Sequence, residues 1–412
     1  MRRWIIIALL SPVFSGLYAQ SLDDYLAEAA ENNPGLKARY AAFEAALQGS
    51  AKAAQMPNPT LSFGYFIQPV ETRVGPQQAR IGLSQMFPWF GTLKSRSDAA
   101  AFLAEAKYYE FIDARESLYA SVKQVYYRLF ENSRLVRIED ANLGILNTLK
   151  ELSLSKYENG KGSLADVYRA DLMIDESQTR LQVIREQRSV WVTEFNGLLN
   201  RSTVDNINVE DSLVFPSDTN LNASTPGFSN HPVQQSIAEL QKSFEALEHA
   251  AKRSGYPSIG LGLDYLIVGE RTDATVPDNG RDALLPMVSV SLPIYRKGYK
   301  AARIEAQKMQ DSYAAQSLEV ENTLEIKWEK ARFALLEAGA NLELLERQIA
   351  KTETIIELLL SDYSSDALDF EVLLREQQKL LEYQRKQARA LVNGYTALAQ
   401  LDYLNAQSNE NE

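Results

Sequence analysis

Two very long stretches of the chain carry apolar residues at steps of three and four with almost nothing to break them. From Leu93 to about Tyr157 there is no proline and one glycine, Gly144; from Lys300 to Ser361 there is no proline and again one glycine, Gly339. Ile138, Ala141, Ile145, Leu149 and Leu152 step along one stretch, and Leu342, Leu345, Ile349, Thr352, Ile356 and Leu359 along the other, close to the 3.5-residue period of a coiled coil. At 1.5 Å per residue each predicts a rod of roughly 90 Å. An ordinary bundle core gives the same period, but such lengths favour a coiled-coil tube.

Between the helical stretches the period changes from 3.6 to 2. Leu61, Phe63, Tyr65 and Ile67 alternate with Ser62, Gly64 and Phe66, and Ile81 and Leu83 with Gly82 and Ser84. Ile259, Leu261, Leu263 and Tyr265 alternate with Gly260, Gly262 and Asp264, and Val288, Val290 and Leu292 with Ser289 and Ser291. Four strands follow, at about 59–68, 78–87, 257–268 and 284–293, with loops over 68–78 and 269–283. One face is apolar and aromatic, the other small and polar. Lipid against a wet lumen produces that dyad, and so does a half-buried soluble hairpin.

The plan is written twice. Pro34 to Pro232 and Pro59 to Pro257 are both 198 residues apart; Tyr157-Glu158-Asn159-Gly160 and Tyr363-Ser364-Ser365-Asp366 interrupt the long helices at an offset of 206. The same larger offset maps Leu164 onto Phe370, Val167 onto Leu373 and Leu198 onto Leu404. Landmarks kept in order predict a tandem duplication. Its first repeat runs over 20–215, with long helices about 92–157 and 163–200. A linker covers 216–229, and the second repeat runs over 230–412, with long helices about 298–362 and 368–404.

Composition narrows the function. Arg2 and Arg3, the apolar run Trp4 to Phe14 and the small Ala19 predict a signal peptide over 1–19, cut before Gln20. No later stretch approaches eighteen apolar residues, so no transmembrane helix is expected. Without cysteine there is no disulfide, thiolate metal site or acylated anchor. Two histidines leave little room for a His-based catalytic or zinc centre, and a net charge of −11 argues against nucleic acid. Met56, Met86 and Met287 read as gap-fillers rather than a copper site; His231 reads as a turn residue and His249 as a helical one. Neither an enzyme nor a cofactor is expected. Four strands cannot close a barrel, so if they enter lipid, several copies must pool them; an open duct needs at least three.

The strand–strand–long-helix plan, Met56-Pro57-Asn58-Pro59 before the first strand, Phe87-Pro88-Trp89-Phe90-Gly91 after the second and Tyr157-Glu158-Asn159-Gly160 with Asp166-Val167 at the helix break resemble the TolC-type outer membrane efflux proteins. The resemblance implies a mainly α chain with a β-barrel part. It implies a homotrimer sharing a twelve-stranded outer-membrane barrel that continues as a helical barrel through the periplasm. An adaptor protein and an inner-membrane pump would dock at the far tip. The Met-Pro-Asn-Pro and Phe-Pro-Trp-Phe-Gly wording is similar to the heavy-metal cation branch. The exit duct of a type I secretion system shares this architecture, and a secreted coiled-coil scaffold shares the helical pattern without the membrane.

By the same resemblance the hairpin tips form the periplasmic entrance, with Gly160, Gly162, Ser163 and Leu164 at the first turn and Ser365, Asp366, Ala367 and Leu368 at the second. Asp362, Asp366 and Asp369 are candidates for a ring of carboxylates that favours cations, or for helix caps. Tyr363 with Arg375 or Arg169 is a candidate to hold the entrance shut. Pro59, Pro88, Pro257 and Pro293 read as junctions where helix gives way to strand, with Trp89, Phe90 and Tyr295 as an aromatic belt or packing under the barrel rim.

Overall fold

The computed structural model describes residues 21–203, 205, 207–215, 227–364 and 370–406. Among these described residues seven α-helices and four strands follow in the order α1 (Leu22–Asn32), α2 (Pro34–Ala54), β1 (Thr60–Thr72), β2 (Gly75–Phe87), α3 (Thr92–Glu158), α4 (Leu164–Leu199), α5 (Pro232–Ser254), β3 (Ser258–Val268), β4 (Ala283–Ser291), α6 (Lys297–Ser364) and α7 (Phe370–Leu404). The chain is mainly helical with one small sheet, as the change of period implies. Helices α3 and α6 run unbroken for 67 and 68 residues, since nothing in either removes a backbone donor. The expected signal peptide lies outside the described residues, as do parts of the linker and the C-terminal tail.

Two compact units form, and each draws on both halves of the sequence. The first takes 1–33, 118–221 and 331–401; the second takes 34–117, 222–330 and 402–412, so α3 and α6 contribute to both.

The second unit holds the sheet, in the antiparallel order β1-β2-β3-β4. The loop expected over 68–78 is instead strand: β1 and β2 run on and turn at Arg73-Val74. Pro69 is tolerated there because β1 is an edge strand and the β1–β2 register shifts between Tyr65 and Val70. The longer β3–β4 connection is a loop, as expected, tied to the β1–β2 turn by Gly269 N–H to the Pro76 carbonyl (2.8 Å) and Gly280 N–H to that of Val74 (2.6 Å). Where β2 leads into α3, Gly91 takes φ +77°. A Cβ there would sit 2.3 Å from an Arg253 guanidinium nitrogen, the group that donates to the Gly91 carbonyl (2.8 Å) and to Ser95 Oγ (2.9 Å). Against α3, α2 packs Tyr40 and Phe43 onto Tyr108 and Phe111.

His231 sits immediately before α5 and is 2% exposed; its Nδ1 accepts from the Val233 N–H at 3.4 Å. That makes Nδ1 an acceptor and the ring neutral. Burial depresses its pKa, the Asp113 carboxylate nearby pulls it back up, and Lys327 adds to the depression; the Tyr403 ring packs edge-on at 5.3 Å and its hydroxyl donates to Asp113. A depressed folded-state pKa means stability present above the ordinary histidine value and lost as pH falls. The protein is expected to lose up to about 1.4 kcal/mol per pH unit on acidification below roughly 6.5. His231→Asn, which keeps a cap acceptor, should flatten that slope in thermal melts at pH 7.5 and 5. Equal slopes in the two proteins would refute it.

In the first unit Tyr25, Tyr126 and Phe195 form an aromatic core, each under 2% exposed. Helix α1, which repeat and period do not predict, is started by a capping box: Ser21 Oγ accepts from the Asp24 N–H (3.2 Å) while the Asp24 carboxylate takes the Ser21 N–H (2.8 Å). After α4 the strap 207–215, which has no regular secondary structure, is tied down at four of its residues. Arg188 donates to the Ile207 carbonyl (3.3 Å), Glu210 N–H to Tyr126 Oη (3.0 Å), Arg137 to the Asp211 carbonyl (2.9 Å) and Tyr395 Oη to that of Val214 (2.6 Å). The Phe215 ring ends the strap in a notch between two helical glycines. A Cβ on Gly394 would lie 2.4 Å from the ring and one on Gly339 3.4 Å from it.

Candidate functional site

The tips of the two long hairpins, α3–α4 and α6–α7, meet inside the first unit. At the first tip, the Lys161 N–H bonds the Lys156 carbonyl (2.9 Å) and the Gly160 N–H that of Tyr157 (2.9 Å), with Gly160 at φ +70°. This is the paired closure that ends a helix at a left-handed glycine. Gly162 is needed for space, since a Cβ would stand 3.0 Å from that of Lys156. Ser163 starts α4, its Oγ accepting the Ala165 N–H at 3.1 Å, and Leu164 is the first helical residue. Asp166, in the first turn where the helix dipole favours an acid, pairs with Arg169 at 2.9 Å; Arg169 also reaches Glu371 on α7 at 3.4 Å.

At the second tip Asp362 is exposed and Tyr363 buried. The Tyr363 ring stacks obliquely on Phe370 (5.3 Å), and Lys156 lies over it at 4.0 Å while donating to the Tyr363 carbonyl. Tyr363 and Phe370 join Leu146, Leu149, Ala170, Ile174, Leu373 and Leu374 in one apolar cluster that holds the two tips together. Within one chain Tyr363 is therefore core, clamped from α3, and Arg169 spends its charge on Asp166 and Glu371. Arg375 is exposed on α7. Ser365, Asp366, Ala367, Leu368 and Asp369 lie outside the described residues. Sequence reasoning ended the second tip at Phe370 without giving that ring a role, and it missed Lys156; the offset that maps Leu164 onto Phe370 was the available signal for the ring.

Below the tips a polar network crosses the unit. Glu139 on α3 is fully buried; Arg385 on α7 pairs with it, and Ser177 Oγ on α4 donates to it at 3.0 Å. Asn142 donates to Ser177 Oγ (3.2 Å) and Gln377 to Asn142 Oδ1 (3.3 Å). A cavity of about 300 Å³ opens beside it, lined by Glu176, Arg180, Glu382 and Arg385 among others.

In the second unit Pro59 and Pro257 immediately precede β1 and β3, Pro88 follows β2, and Pro293 stands two residues beyond β4. Trp89 stacks on Tyr256 (5.2 Å), whereas Phe90 and Tyr295 are 80% and 91% exposed. The sheet presents its apolar face uncovered: Phe63, Tyr65 and Ile67 are 74–90% exposed, and Leu61, Leu83, Leu261, Leu263, Val288 and Val290 are exposed beside them. A contiguous patch of this kind marks an interaction surface. The outer edges of β1 and β4 pair with no strand among the described residues. No helix among the described residues is long and apolar enough to cross a membrane, and none of their side chains cluster as a His, Cys, Asp and Glu metal site.

Comparison with known proteins agrees with this geometry. The family model described as outer membrane efflux protein matches residues 25–196. The solved outer membrane protein VceC of Vibrio cholerae superposes with a TM-score of 0.76 at 15% identity, over 94% of this chain and 97% of that one. The CmeC outer membrane channel of Campylobacter jejuni gives 0.76 at 15% identity over 94% and 87%. CusC, whose structures concern folding and transmembrane channel formation, gives 0.75 at 13% identity over 94% and 95%. A comparison with curated proteins finds no match. Residues 25–196 thus match the outer membrane efflux protein model, and over 94% of its length the chain shares the fold of solved outer membrane proteins such as VceC and CmeC.

Proposed function

We propose that the chain is one subunit of a passive exit duct in the outer membrane, working as a homotrimer with a periplasmic adaptor and an inner-membrane pump, in the heavy-metal cation branch by the wording of its strand-flanking motifs. The observation that carries the reading is the four-stranded sheet with an uncovered apolar face and two open edges. In lipid each unpaired backbone group costs several kcal/mol, so closure requires strands from other copies, and three copies supply twelve. The chain supplies a water-filled path, and energy comes from the pump. The first-unit tips, with Gly160, Gly162, Ser163 and Leu164 on one hairpin and Ser365, Ala367 and Leu368 on the other, are the adaptor-docking surface. Asp362, Asp366, Asp369 and Arg375 are assigned to the entrance by the family resemblance, and Tyr363, buried in the tip cluster, to holding it shut. Adaptor binding opens it only by contacting the open state better than the closed one.

The purified protein is expected to run as a trimer and to conduct ions across a planar bilayer with a preference for cations. Asp366→Ala with Asp369→Ala should weaken that preference. A monomer without conductance would defeat the duct; unchanged cation preference in the double variant would remove those two aspartates from the entrance.

A further inference from the structure

Only three charged residues lie within the four strands: Glu71 one residue from the end of β1, Arg80 in the middle of β2 and Asp264 in the middle of β3. Asp264 stands opposite Gly82 in the β2–β3 register, and Gly82 opposite Ser62 in the β1–β2 register, so all three share the small, polar face. Arg80, two residues from Gly82, is on that face too. Its guanidinium pairs with the Asp264 carboxylate and continues toward β4, where a terminal nitrogen lies 3.8 Å from Met287 Sδ.

The socket for this pair is built by an absent side chain. A Cβ on Gly82 would come within 2.3 Å of Asp264 Oδ1 and 2.7 Å of Ser62 Oγ. Glycine inside a strand weakens it, and here the lost propensity makes room for a carboxylate. The two partners differ in exposure: the Asp264 side chain is 2% exposed and that of Arg80 44%. The acid is sealed between strands while the base keeps one side open to whatever fills the polar face. Enclosing the carboxylate costs free energy that the guanidinium offsets, and removing the half-exposed Arg80 side chain opens the acid to the solvent Arg80 itself meets.

We propose that Arg80 and Asp264 set the charge of the barrel lumen, with the sealed aspartate cancelling a guanidinium that would otherwise draw anions. The assignment rests on the exit-duct reading: the polar face becomes lumen only if copies close their sheets into a barrel, where the pair recurs as a ring. A ring of unpaired guanidiniums in a water-filled pore would oppose cation exit, and the paired one leaves the lumen nearly neutral. Discrimination is thereby left to other parts of the path.

The test is reversal potential in planar bilayers under a potassium chloride gradient. Asp264→Asn should shift the anion-to-cation permeability ratio upward about fivefold, the scale expected for three bare charges ~10 Å from a watery axis. Arg80→Gln should shift it the opposite way. Should Asp264→Asn fail to assemble, Arg80→Cys supplies a second route, because the chain has no cysteine of its own. A cationic methanethiosulfonate should then move the ratio back toward that of the unmodified protein, and an anionic one further toward cations. Unmoved reversal potentials in both single-charge variants, or an Arg80→Cys thiol that water-borne reagent cannot reach, would overturn the assignment while the duct stands. An unmodified chain that does not conduct would bring down the duct reading and this assignment with it.

Discussion

Replacing Arg385 by leucine is expected to cost the first unit about 3–5 kcal/mol, the usual penalty for stranding one member of a buried ion pair. Glu139 is fully buried, and its two oxygens are served by Arg385 and by Ser177. Without the guanidinium, one hydroxyl remains to stabilise a carboxylate that has no access to water. Arg385 is itself largely enclosed, at 22% side-chain exposure, so solvent screening does little to soften the loss. The converse substitution separates the charge from the packing. Glu139→Met with Arg385→Leu removes both charges, and an apolar replacement of a buried pair is often neutral or stabilising. The double variant should therefore recover most of the loss. Denaturant unfolding of the detergent-solubilised protein, run as a double-mutant cycle, measures it. A penalty below about 1 kcal/mol for Arg385→Leu alone would show that the network contributes little.

Phe370→Ala is expected to loosen the joined tips, with a penalty of about 3–5 kcal/mol typical of a buried aromatic truncation. Phe370 is 1% exposed, begins α7 and packs on Tyr363, which closes α6. Its ring is the contact that spans the break between those two helices. Removing it leaves Tyr363 facing a cavity, and Lys156 then holds its carbonyl with less beneath it. Amide exchange at the end of α6 and the start of α7 should quicken by orders of magnitude, and the duct should open more often in bilayer recordings. Exchange that stays at the parental rate would mean the tips are held by Leu146, Leu149 and Leu373 without the aromatic pair.

Much of the architecture is legible in the chain because its signals are local. Absent prolines predict α3 and α6, and their observed ends fall within about three residues of the expected ones. Alternation predicts four strands and their apolar face. Turn chemistry misleads at 68–78, where Pro69, Gly75 and Pro76 read as loop although an edge strand accommodates them. Helix α1 escapes because its signal, Ser21 with Asp24, stands before Pro34, the first landmark that the second half repeats.

The pairing of distant charges was not legible. Glu139 and Arg385 are 246 residues apart, and nothing in either local pattern separates them from the solvated charges around them. Asp264 fitted the strand alternation as one more polar residue; only the register brings Arg80 and Gly82 to it. Gly339 was visible as the lone glycine between Lys300 and Ser361, but its reason, the Phe215 ring, lies in a different part of the chain.

That ring also constrains the order of events during folding. Gly339 and Gly394, which shape its notch, lie 124 and 179 residues further along the chain. The strap can seat only after the last long helix exists and has docked, a non-local closure that is slow by nature. Until then the Phe215 side chain lacks that notch, and the still unfolded chain offers it to holdase chaperones. Chains cut short of residue 394 should stay soft and protease-sensitive however much helix they contain.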